Sequence, residues 1–171
     1  MHRHLIAILR GITTDEAAAV CDALLSAGIS QIEIPLNSPD PMCTIEMMVK
    51  QYGADARIGA GTVLTCADVD MLAEIGAHMV ISPNMNPEVI ARTKQLGMMS
   101  CPGILTPTEG FAALAAGADM LKLFPADIVG PSGVKALRAV LPADVKLAAV
   151  GGVGPGKLSV WAEAGITAFA I

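Results

Sequence analysis

A lysine stripped of water must find a counter-charge or give up its proton, and Lys122 stands where that choice arises. It lies in "DMLKLFPADIVG" (119–130), inside an otherwise apolar run, with Phe124 and Pro125 just after it. A strand of this pattern is buried on both faces. Desolvating an ammonium group there is costly unless it is paired or neutralised. Glu33, in "QIEIPL" (31–36), is a carboxyl in a comparable run. Two readings follow. In one, Lys122 and Glu33 form a buried ion pair, which would raise the lysine pKa. In the other, apolar surroundings lower that pKa, and the neutral amine attacks a ketone to form a Schiff base. Glu33 would then shuttle protons during carbinolamine formation and at the neighbouring carbon. The residues alone leave both open.

Other polar residues end apolar runs in the same way. "AVGGVGPGK" (149–157) carries Gly151 and Gly152 out of a strand toward Pro155, where a helix can begin. Exposed main-chain N–H groups and a helix start bind phosphate without a charged side chain, although a plain turn has the same composition. Arg10 in "ILRGI" offers a forked guanidinium that could clamp a carboxylate or phosphate. Thr62 in "GAGTV" could donate to a substrate carboxylate, or bond locally as a strand threonine. Asn37, Pro83–Asn84 and Pro102–Gly103 follow other runs. The remaining candidates read as structural. His2 and His4 are solvated near the terminus, and His78 opens a strand at the end away from the chemistry. Ten methionines are scattered as core filler, and Trp161 packs on the last helix.

The elements that must position these residues recur with a rhythm. Apolar runs occupy 5–9, 31–36, 57–63, 78–83, 98–103, 120–125, 146–151 and 168–171, with starts 20 to 26 residues apart. Between them lie amphipathic segments ending in Gly28, Gly76, Gly97, Gly117 and Gly165, left-handed helix stops. Thr14 is the expected cap of the first helix. Asn86 with Pro87, and Thr106 with Pro107 and Glu109, begin two others. Strand then helix, eight times over, predicts an α/β protein with a parallel sheet closed into a (β/α)8 TIM barrel. An open doubly wound sheet is disfavoured because no glycine-rich GxGxxG turn follows the first strand. Chemistry is then expected at the C-terminal ends of the strands, which gather the residues above at one mouth. Residues 1–171 read as one domain. Because the eighth run ends at Ile171 with no helix to cover it, the natural polypeptide is expected to continue by one loop and one or two helices.

Composition narrows the function. Hydrophobic residues make up 53% and charged residues 16%, yet no apolar run is long enough for a membrane span. The first residues lack the small-residue cleavage site of a secretory signal. Cys21, Cys43, Cys66 and Cys101 form no CxxC pair, so neither a zinc site nor a disulfide framework is expected, and a reducing cytoplasm is. A net charge of −5 with one Trp and one Tyr argues against nucleic-acid binding.

The motifs "AILRGI", "EIPLNSP", "GAGTVL", "ISPN", "CPGILTPTE", "LKLFPA" and "AVGGV" follow in this order along nearly the whole chain. Together they closely resemble the aldolases that cleave 2-keto-3-deoxy-6-phospho sugar acids, the KDPG/KHG aldolase family. The resemblance implies a class I, Schiff-base aldolase on a (β/α)8 barrel, a homotrimer, with no metal or other cofactor. It matches Lys122 to the Schiff-base lysine and Glu33 to the general acid/base. Arg10 and Thr62 match contacts to the pyruvate-derived carboxylate end, and Pro102 and Gly103 match the lining of that pocket. Gly151 and Gly152 match half of the phosphate site; the other half is a Gly-Ser pair just after strand eight, which this chain lacks. Pro35 and Asn37 in "EIPLNSP", and Val150 where the phosphogluconate branch carries a threonine, point to the branch acting on the galactonate epimer. A valine cannot make the hydrogen bond that a hydroxyl offers one C4 epimer. The implied reaction releases pyruvate and glyceraldehyde 3-phosphate. The gluconate epimer, 4-hydroxy-2-oxoglutarate, or a sugar-phosphate-binding barrel without lyase activity remain as alternatives.

Overall fold

A computed structural model of the chain describes residues 4–171, so His2 lies outside the described residues. Among the described residues nine strands, all parallel, occupy β1 (Leu5–Ile8), β2 (Gln31–Pro35), β3 (Arg57–Gly61), β4 (Met79–Ile81), β5 (Met99–Cys101), β6 (Gly103–Ile104), β7 (Leu121–Leu123), β8 (Leu147–Val150) and β9 (Ala168–Ala170). Their order is β5-β4-β3-β2-β1-β9-β8-β7-β6. The expected eight runs become nine strands because Pro102, lacking an N–H, splits the fifth run into β5 and β6. The ladder continues across the split. The carbonyls of Ser100, Pro102 and Ile104 accept from the N–H groups of Met120 (3.3 Å), Lys122 (2.9 Å) and Phe124 (3.2 Å). On the other side Met99 and Gly103 donate to the carbonyls of His78 (3.0 Å) and Asn84 (3.2 Å). The composite strand therefore joins both ends of the sheet, and the barrel closes.

Among the described residues seven helices alternate with the strands: α1 (Thr14–Ser26), α2 (Pro41–Tyr52), α3 (Cys66–Glu74), α4 (Pro87–Gln95), α5 (Pro107–Ala115), α6 (Ala126–Arg138) and α7 (Leu158–Ala164), the last preceded by a 3-10 turn at Pro155–Lys157. The five glycines that follow α1, α3, α4, α5 and α7 have φ from 77° to 110°, as stop residues should. The cap of α1 is Thr13, not Thr14. Only Thr13 has an acid three residues on, and the Glu16 carboxylate accepts from its N–H (3.2 Å) and hydroxyl (2.6 Å). Asn86 and Thr106 cap α4 and α5 as expected. No helix among the described residues is long and apolar enough to cross a membrane.

Burial falls into two layers. Between strands and helices lie residues such as Ile32, Ile34, Ile58, Leu121, Leu123 and Leu147, all fully buried. Each contributes about 1.5–3 kcal/mol by leaving water. Trp161 belongs to this layer, as expected of packing. The alternate residues face the barrel interior, where Ile6, Met79, Ile81, Cys101, Met120, Ala148, Val150, Ala168 and Ala170 form a separate cluster. Glu33 pairs in register with Gly59, and Lys122 with Gly103 and Ala148. Both charged residues therefore share the interior phase, among small neighbours that leave them room.

Candidate active site

Glu33 and Lys122 are 2% and 7% exposed, so both are withdrawn from bulk water. They form no ion pair with each other among the described residues. Glu33 Oε2 is buried with no hydrogen-bond partner. Burial pushes the Glu33 carboxyl up to about 7, against the pull of Lys122 and then Arg10. Burial likewise lowers the Lys122 pKa, with Glu33 and Cys101 acting to raise it and Arg10 to lower it further. Both shifts favour the neutral forms. A buried ion pair would hold both groups charged, whereas these directions are those of the amine reading. Lys122 Nζ also stands 4.8 Å from the centroid of the Phe124 ring, whose face accommodates an ammonium or iminium charge.

The other expected residues stand at or near the C-terminal ends of the strands. Arg10 lies beyond β1 and donates from Nη1 to Asn37 Oδ1 (2.7 Å), beyond β2; both side chains are exposed. The Gly11 N–H donates to the Ser38 hydroxyl (3.0 Å), tying the same two turns together. Thr62 immediately follows β3 with φ 58°, a left-handed conformation that a β-branched side chain adopts only under strain of about 1–3 kcal/mol. Pro102 and Gly103 are buried in the composite strand. A side chain at Gly103 would strike the Pro83 carbonyl, so glycine permits this close passage of backbone beside Asn84. Val150 is buried on the interior face at the end of β8. Gly151 and Gly152 turn the chain away with φ of 89° and 71°. The Gly151 carbonyl accepts from the Asp127 N–H (3.2 Å). The Asp127 side chain occupies the space a Cβ on Gly152 would need.

Two contributors are not visible from composition. A Cβ on Gly61 would fall on the Glu33 carboxyl, so that glycine vacates the volume in which the acid lies. The signal was the spacing of Gly59 and Gly61 on the inward face of one strand. Cys101 faces the same interior, its thiol pushed up to about 12 chiefly by burial, and it stays a neutral, free thiol. His78 is structural as expected: its Nδ1 accepts from the Ile58 N–H (3.1 Å). Cys21 is also free and buried, Cys66 is half-buried, and Cys43 is exposed.

A buried amine beside a buried carboxyl, at the mouth of a barrel whose seventh run ends in paired left-handed glycines, agrees with what known proteins show. The sequence matches the family described as "Aldolase: KDPG and KHG aldolase" over residues 1–169. It is 52% identical over 161 residues to the 2-dehydro-3-deoxy-6-phosphogalactonate aldolase of Escherichia coli (strain K12), covering 94% of this chain and 78% of that one. It is 32% identical over 139 residues to the 2-dehydro-3-deoxy-phosphogluconate aldolase of Treponema pallidum (strain Nichols), covering 81% of this chain and 66% of that one. The solved "Native KDPGal structure" superposes with a TM-score of 0.96 at 50% identity, over 98% of this chain and 81% of that chain. Motif order, barrel topology and full-length similarity thus converge, and the chain belongs to the KDPG and KHG aldolase family.

Proposed function

We propose that this protein is a class I aldolase that reversibly cleaves 2-dehydro-3-deoxy-6-phosphogalactonate to pyruvate and D-glyceraldehyde 3-phosphate. The observation that carries the reading is a desolvated Lys122 whose pKa is lowered, facing an equally desolvated Glu33. The neutral amine adds to the C2 ketone, and Glu33 hands protons to and from the oxygen as the carbinolamine loses water. The resulting iminium draws the C3–C4 bonding pair toward itself while the C4 hydroxyl gives its proton to the Glu33 carboxylate. The aldehyde departs, leaving an enamine, which takes a proton at C3. Water then hydrolyses the iminium, releasing pyruvate and regenerating the amine. The protonated imine is the electron sink throughout.

Arg10 and Thr62 are assigned to the substrate carboxylate, and Pro102 and Gly103 to the wall beside it. Gly151 and Gly152 are assigned to the phosphate, through main-chain N–H groups. Val150 and Asn37 are assigned to the choice of C4 epimer. The similarity to the Escherichia coli galactonate-type enzyme supports that choice. Residues 1–171 are read as one barrel domain acting as a homotrimer in the cytoplasm. Four free thiols support a reducing compartment.

Borohydride reduction in the presence of pyruvate tests the chemistry. A stable mass addition on the peptide carrying Lys122 is expected, whereas labelling of another lysine, or of none, overturns the assignment. Cleavage rates on the two phosphorylated C4 epimers test the substrate. Faster cleavage of the gluconate epimer would transfer the enzyme to the other branch.

A further inference from the structure

The strands carry a second polar layer at their N-terminal ends, away from Lys122. Arg57 opens β3 two residues before Gly59, in the phase that faces the interior. Lys146 immediately precedes β8, two residues before the inward Ala148. Three strands separate β3 from β8 in one direction around the barrel, and three in the other when β5 and β6 are counted as one. The two cations thus rise from opposite sides of the barrel floor. With His4, Gln31 and Thr167 they line a cavity of about 500 Å³. An adjoining cavity of about 570 Å³ shares His4, Gln31 and Arg57 and reaches His78.

The negative charges here do not neutralise this pair. Asp119 lines the first cavity, but its carboxylate accepts from Lys94 Nζ (2.7 and 2.8 Å) and from the Ser100 N–H (2.7 Å). Asp55 lines the second cavity, and among the described residues it forms no ion pair with Arg57 or Lys146. A barrel floor is ordinarily filled by packed apolar side chains. Two cations that line one concavity and form no ion pair among the described residues, in a chain of net charge −5, make a local positive focus that an anion between them would satisfy.

We propose that the N-terminal mouth of the barrel binds a small multivalent anion, a phosphate or an oligocarboxylate, between Arg57 and Lys146. The site is independent of the aldolase chemistry at the other mouth. Its test uses the imidazole proton resonances of His4 and His78, assigned with His4→Ala, while the full chain is titrated with inorganic phosphate and, separately, with citrate. A saturable shift of the His4 signal is expected for at least one of the two, and which one identifies the preferred chemistry. Arg57→Gln and Lys146→Gln should each weaken that titration about tenfold, since each removes one charge-assisted contact. The double variant should abolish it, with borohydride trapping of pyruvate unchanged. Phosphate bound only at the Gly151–Gly152 turn would leave the His4 signal still. A flat or non-saturating His4 response to both anions overturns the proposal, as does saturation that survives in the double variant.

Discussion

At Glu33 the fold keeps a carboxyl in a volume that gives Oε2 no hydrogen-bond partner, and the consequences differ for activity and for stability. General acid–base transfer is worth about 10²–10⁴-fold, so Glu33→Gln should lower turnover by that order in a cleavage assay. Near-normal turnover would make Glu33 structural. Stability should move the other way with pH. The folded carboxyl titrates at about 7, above its ordinary value of 4.5. The unfolded chain therefore ionises first, and Glu33 weakens the fold as pH rises from the lower value through the higher. The full shift corresponds to about 3 kcal/mol. Urea unfolding from pH 4 to pH 8 should show Glu33→Gln gaining on the parent chain by a few kcal/mol; a constant gap would mean that the parent carboxyl is already ionised. Both site residues were legible because a charge in an apolar strand run is conspicuous. Their protonation was not, since it depends on the burial and separation that only the barrel sets.

Strand β3 shows what an element contributes beyond its own residues. In the sequence "RIGAG" reads as a strand weakened by glycine, and nothing local distinguishes Gly61 from Gly59. In the barrel the two have different neighbours: Met79 meets the first and the Glu33 carboxyl meets the second. That distinction comes from the lateral pairing of β2, β3 and β4, a non-local fact. The same holds for Pro102, legible as part of a strand run but not as the break that divides it. Local patterns, by contrast, are legible in the sequence: caps at Asn86 and Thr106 stand as expected, and the first helix is capped one residue earlier than expected because the capping box selects Thr13. Gly61→Ala is therefore predicted to act through Glu33. Overpacking a strand interior costs about 1–3 kcal/mol. The added methyl should also move the carboxyl and lower turnover nearly as far as Glu33→Gln does. The decisive measurement is the double variant. If Gly61 acts through Glu33, Gly61→Ala in the glutamine background should lower turnover little further. Independent, multiplying losses would assign Gly61 to the strand alone.

Across the whole molecule the exposed apolar side chains are unevenly spread. Leu64, Leu105 and Ile128 follow β3, β6 and β7 at the catalytic rim and are 48%, 38% and 72% exposed. Met71 in α3 and Phe111 in α5, the helices after β3 and β6, are 44% and 47% exposed. Strands β3 to β7 are consecutive around the barrel, so all five belong to one sector of its wall. Val140, Val160 and Ile171, after α6, in α7 and after β9, are exposed as well, so the group is concentrated in that sector and not confined to it. Single exposed hydrophobes are ordinary, but such a concentration is characteristic of a surface that is covered in the working assembly. This distribution supports the homotrimer proposed above, with the catalytic rim at or beside the subunit contact. Interfaces of that kind lose most of their free energy when a central apolar anchor is replaced. Ile128, the most exposed of the five, is the side chain whose exposure a partner would most reduce. Sedimentation equilibrium of the parent protein should give three times the mass of one chain. Ile128→Asp combined with Leu64→Asp should dissociate it, because two carboxylates per subunit would have to be desolvated in the contact. The variant should retain its far-ultraviolet circular dichroism, since both positions lie outside the two core layers. A parent chain sedimenting as a single subunit would overturn the trimer, and a double variant that remains trimeric would move the interface to another sector of the barrel.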